Sequence, residues 1–137
     1  MSGGGLSGGA TDRFLIGGEG VNSSLNAEFR QAIFTGAGPT AASDTLAQLT
    51  IDFAFTITRL RNRVRANSKN ADSVIAFRDD GSSVASVTIG AAATGEFDSG
   101  ALTVSVASGS LVNWLIDTTA SASGSLSDEG LIIECES

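Results

Sequence analysis

Along the chain, apolar residues fall mostly on every second position in short runs separated by glycine and serine, and this spacing predicts strands with one buried face. The alternation is sharpest where Leu49, Ile51, Phe53, Phe55 and Ile57 take turns with Thr50, Asp52, Ala54 and Thr56, which predicts one strand with those five apolar side chains in the core. A fainter signal runs from Glu28 to Phe34, ahead of the loop Gly36–Thr40. The next stretch places Arg59, Arg61, Arg63 and Arg65 two residues apart, with Leu60, Val64 and Ala66 on the opposite face. On a helix these arginines would scatter around the cylinder, so the spacing itself favours a strand carrying one row of guanidiniums.

Val74–Phe77 and Val84–Ile89 flank Asp79-Asp80-Gly81, and Asp-Gly between two such runs predicts a hairpin. Leu102–Val106 and Leu111–Ile116 flank Ser108-Gly109-Ser110 and predict a second one, with Val112, Trp114 and Ile116 on one face and Leu111 and Leu115 on the other. Gly124–Cys135, with Leu126 and Leu131-Ile132-Ile133, reads as a closing strand whose tip, Glu134 and Glu136, is solvated. About eight short strands with turns between them predict an all-β, antiparallel sandwich or barrel.

Composition sharpens this picture. The 137 residues suffice for one core, and they include 17 Gly, one Pro, no His and no Tyr, a mixture suited to strands and tight turns. Residues 1–20 are glycine-rich and hold a single large apolar patch, Phe14-Leu15-Ile16; they read as a flexible arm, with residues 21–137 as the one domain and Phe14, Leu15 and Ile16 as candidates for docking the arm on a neighbouring subunit.

The formal net charge of −7 weighs against a nucleic-acid partner, because phosphate affinity comes from positive surface. The chain's start has neither the basic nor the apolar region of a secretory signal, and no run approaches the roughly 18 apolar residues of a helical membrane span, so a membrane partner is not expected. The lone Cys135 allows no internal disulfide, and flanking acids disfavour its thiolate. Without histidine there is no ready base for a nucleophile, and no spacing singles out a pair of catalytic carboxylates, so enzymatic activity is not expected and no cofactor is implied. Asp79-Asp80-Gly81-Ser82 and Glu96-Phe97-Asp98-Ser99 offer oxygens for Ca²⁺ but lack the spacing of an EF-hand loop, and no metal site is assigned.

The order and spacing of four segments carry a likeness to a known family: Ile57-Thr-Arg-Leu60 with Arg63–Asn67, then Val74–Gly81, then Val87–Gly95 with Phe97, and Val104–Gly109 running into Leu111-Val112. Over somewhat more than half of its length the chain resembles the jelly-roll domains of bacteriophage structural proteins of the tail-fibre and head-decoration type. That resemblance implies a jelly-roll sandwich located in the virion, a homo-oligomer (a trimer foremost) bound to other virion or shell proteins, and no catalytic centre. A late glycine that an acid often follows in this pattern is followed here by Ser110, and the region before Phe53 matches poorly.

The arginine row then has three readings. Like charges along one face repel unless acids interleave with them, so Arg59, Arg61, Arg63 and Arg65 form a solvated face paired with carboxylates such as Asp52, Asp72 or Asp79, or a seam with the next subunit, or a patch for nucleic acid or a polyanionic glycan, which the overall negative charge weighs against. Two other functional classes stay open: a carbohydrate-binding jelly roll, which would need Trp114 on an open face, and a bacterial surface or filament subunit.

Overall fold

The computed structural model describes the backbone of residues 13–19, 22–23, 27–31 and 47–137, with side chains from Ala47 onward apart from Asp128 and Glu129. Among the described residues the chain forms two antiparallel sheets face to face. The strands are β1 (Arg13–Glu19), β2 (Asn22–Ser23), β3 (Ala27–Gln31), β4 (Leu49–Thr50), β5 (Phe55–Asn67), β6 (Ser73–Asp79), β7 (Ser82–Ile89), β8 (Gly95–Asp98), β9 (Val104–Val106), β10 (Leu111–Asp117) and β11 (Leu126–Glu136). The first sheet has the order β1-β11-β5-β8, with β2 on β11 and β9 on β5; the second has the order β3-β10-β6-β7, with β4 on β10.

Between the sheets lies one apolar core. Phe55, Ile57, Leu60, Val64, Val106, Leu126, Leu131, Ile133 and Cys135 come from the first sheet, and Ile75, Phe77, Ala85, Val87, Ile89, Val112, Trp114 and Ile116 from the second. Burying apolar area of this kind is the main favourable term in the fold. Trp114 is buried on the same face as Val112 and Ile116, and Leu111 lies exposed on the other, as the alternation predicts.

The Asp-Gly hairpin forms as predicted. Asp80 (φ 48°) and Gly81 (φ 82°) both take the left-handed conformation that a two-residue turn between twisted strands requires.

Two predictions of local structure need correction. The run Leu49–Ile57 is not one strand: β4 lies in the second sheet on β10, and the chain crosses to the first sheet before β5 begins. Ile51, Phe55 and Ile57 are buried, whereas Leu49 and Phe53 are 37% and 43% exposed, because the crossing breaks the pleat that would have aligned them. Nor do Leu102–Val106 and Leu111–Ile116 form a hairpin. β9 pairs with β5 in one sheet while β10 pairs with β6, β3 and β4 in the other, so the Ser108-Gly109-Ser110 turn bridges the sheets. The two crossings brace each other: the Ile51 amide donates to the Ser110 carbonyl (2.9 Å) and the Gly109 amide to the Ile51 carbonyl (2.6 Å).

β1 runs antiparallel to β11, with Phe14 opposite Cys135, Leu15 opposite Glu134 and Ile16 opposite Ile133. Thus part of the segment read as an arm has a place in a sheet. The side chains of Phe14, Leu15 and Ile16, and residues 1–12 altogether, lie outside the described residues, as does Phe34 of the early strand signal.

Candidate functional site

The arginine row lies on the outer face of the first sheet, and one extra residue puts it there. Phe55 and Ile57 point inward, and so do Leu60, Asn62 and Val64, although the two sets have opposite parity. The register explains the switch: Cys135 pairs with Ile57 and Glu134 with Arg59, so Thr58 has no counterpart on β11 and forms a bulge. The Thr58 hydroxyl donates to the Glu134 carbonyl (3.1 Å), and the Thr58 carbonyl accepts the Leu102 amide (2.8 Å). After the bulge, every odd position of the row faces away from the core.

Acids on both neighbouring strands meet the guanidiniums. Arg59 pairs with Asp98 (2.9 Å) and Glu134 (3.5 Å). Arg61 reaches Glu134 (3.4 Å), Asp98 (3.6 Å) and Glu96 (3.9 Å). The pairing carboxylates therefore come from β8 and β11, where the sequence reading offered Asp52, Asp72 and Asp79, and Glu134 is a member of this ladder instead of a solvated tip. Glu96 and Asp98 are two residues apart on β8, the same spacing as the arginines, and the register sets Asp98 opposite Arg61 and Glu96 opposite Arg63. Arg65 donates to the Ser127 hydroxyl (3.3 Å) at the end of the row, and Arg63 is exposed.

These groups are a third or more exposed, so each pair contributes little to stability; the ladder's effect is to cancel repulsion along the row. Asp98 also accepts the Gly100 amide (2.6 Å). That bond, with the nearby guanidiniums of Arg59 and Arg61, holds its carboxyl below the usual range. Beside the ladder a shallow depression of about 250 Å³ is lined by Arg61, Asn62, Arg63, Glu96, Gly130 and Ile132, and Ile132 is an exposed apolar side chain on an otherwise polar face.

Cys135 is buried and its thiol is pushed up to about 12 by desolvation, so it stays protonated and unreactive at neutral pH. Asp80, one of the oxygens considered for Ca²⁺, accepts the Leu111 amide (2.8 Å), and the described residues contain no cluster of three or more groups suited to a metal ion. No helix among them is long and apolar enough to cross a membrane. Trp114 lies in the core and offers no stacking platform for a sugar. No family model, curated protein or solved structure matches this chain.

Proposed function

We propose that this chain is a non-enzymatic virion structural subunit, a jelly roll that decorates or cements a capsid or forms the globular part of a fibre. It works by associating with copies of itself, as a trimer foremost, and with other shell proteins. The observation that carries the reading is the strand order. With β1-β11-β5-β8 facing β3-β10-β6-β7, the chain passes back and forth between the sheets in the order of two wrapped Greek keys, which supports a jelly roll.

The mechanism is mechanical. A closed apolar core supplies a rigid body, and the outer faces and sheet edges are left to recognise other subunits. An uncatalytic role agrees with a chain of no histidine whose one thiol is buried and protonated. The arginine row enters as a seam, with Arg59, Arg61, Arg63 and Arg65 presenting one line of guanidiniums on the outer face of the first sheet.

Negative-stain imaging of the purified protein, with proteomics of gradient-banded particles from the source culture, tests the reading. Regular oligomers or arrays, and peptides of this chain in the particles, are expected. Dispersed single subunits, or particles without the chain, overturn it.

A further inference from the structure

One edge of the sandwich differs from the rest. β7 closes the second sheet, and among the described residues no strand pairs with its outer side. Unpaired strand edges recruit other strands, and proteins usually blunt them with lysine, proline, bulges or brevity. β7 has eight residues, Ser82–Ile89, with neither charge nor proline. It carries one bulge, near Val84 where the register slips between Phe77 and Arg78, and from Ala85 to Ile89 it pairs regularly with Ser73–Phe77. Its inward side chains Ala85, Val87 and Ile89 are fixed in the core, while Ser86 and Thr88 point out and are exposed.

We propose that Ala85–Ile89 of β7 pairs antiparallel with the same segment of a second copy, extending the second sheet across a two-fold axis. This inference rests on the assembly reading and names one of its contacts. The self-complementarity of an antiparallel edge selects the occupant, and charge selects the edge. Two copies of a chain with net charge −7 repel, and the edge of the first sheet formed by β8 would set Glu96 and Asp98 against their own copies. Along β7 no like charges meet, and backbone groups of one edge complement those of the other when the strands run antiparallel. A strand pair of this length buries less than the roughly 1,000 Å² of a stable dimer, so the contact is weak alone and gains strength in an array through linked contacts.

The test is a concentration series by sedimentation velocity on the wild-type chain and on the double variant Ser86→Lys/Thr88→Lys, beside Ser105→Lys on the β9 edge as a control. The double variant reduces the magnitude of the net charge from −7 to −5, which would ease general repulsion, yet it sets lysines near each other across the two-fold. We expect at least tenfold weaker association in the double variant and no change in the control. Hydrogen exchange on wild-type protein needs no substitution: amides of Ala85–Ile89 should gain protection on going from dilute to concentrated solution. Association that the lysines leave intact, or exchange in Ala85–Ile89 that ignores concentration, overturns the edge contact while leaving assembly through other surfaces standing. A wild-type chain that stays monomeric throughout overturns both.

Discussion

Phe77 and Trp114 meet edge to face across the β6–β10 pair, with ring centroids 5.6 Å apart and planes at 81°. Phe55 of the opposite sheet packs against Phe77 at 6.5 Å, so these rings tie the two layers together at the centre of the core. Both Phe77 and Trp114 are about 1% exposed. Phe77→Ala removes the shared ring and leaves a cavity that two sheets cannot readily close, and we expect a loss of about 3–5 kcal/mol. Chemical denaturation followed by Trp114 fluorescence measures it; a loss below about 1 kcal/mol would show that the sheets do not depend on this contact.

The bulge at Thr58 yields a sharper expectation. Thr58→Ala removes one side-chain bond to the Glu134 carbonyl and should cost about 1 kcal/mol. Deleting Thr58 removes the extra residue and closes the bulge, so the alternation runs regularly from Ile57 (in) through Arg59 (out) to Leu60 (in), with Ile57 still opposite Cys135 and Arg59 opposite Glu134. Circular dichroism and exchange should find both variants folded, the deletion losing in addition the bond from the Leu102 amide to the Thr58 carbonyl; a deletion variant that unfolds would contradict the reading of Thr58 as the extra residue.

Gly124 (φ 89°) passes so close to the Ser68 carbonyl that a side chain at this position would collide with backbone. The approach is held by Ser68 N–H to the Ser125 carbonyl and Ser125 N–H to the Ser68 hydroxyl, each 2.9 Å. Gly124→Ala combines left-handed strain of about 1–2 kcal/mol with that collision, so thermal denaturation should show a larger loss than for Ala at the exposed neighbour Ser123.

The ladder sets an acid limb. The Asp98 carboxyl lies below its ordinary value because of the Gly100 amide first, and then Arg59 and Arg61. A carboxyl depressed in the folded state binds fewer protons there than in the unfolded chain, so its contribution is present above the unfolded value of about 3.8 and is lost as pH falls through the folded one. Asp98→Asn should therefore lower stability at neutral pH slightly and flatten its decline in acid. Side-chain NMR titration locates the group directly, and an Asp98 value at or above 3.8 would contradict the geometry.

Much of this was legible in the residues. Asp80-Gly81 specifies its turn because few dipeptides tolerate two left-handed residues, and the parity of the arginine row specifies an outward face because guanidiniums are costly to bury. The bulge was visible only as a conflict, Phe55 and Ile57 being odd and Leu60 and Val64 even, with no local rule to say which residue was the extra one. The turn at Ser108-Gly109-Ser110 was misread for a related reason: glycine and serine serve a hairpin and a passage between sheets equally well, and the choice belongs to distant partners, β5 for one flank and β6 for the other. Arg59 and Arg61 could be seen to need acids, but only the sheet order brings Asp98 and Glu134 to either side of them.

The central claim is that this sandwich works through its association with copies of itself. Light-scattering mass measured across a wide range of protein concentration tests it most directly. The account predicts mass rising from 13.8 kDa toward its multiples; a constant 13.8 kDa at every concentration would contradict it.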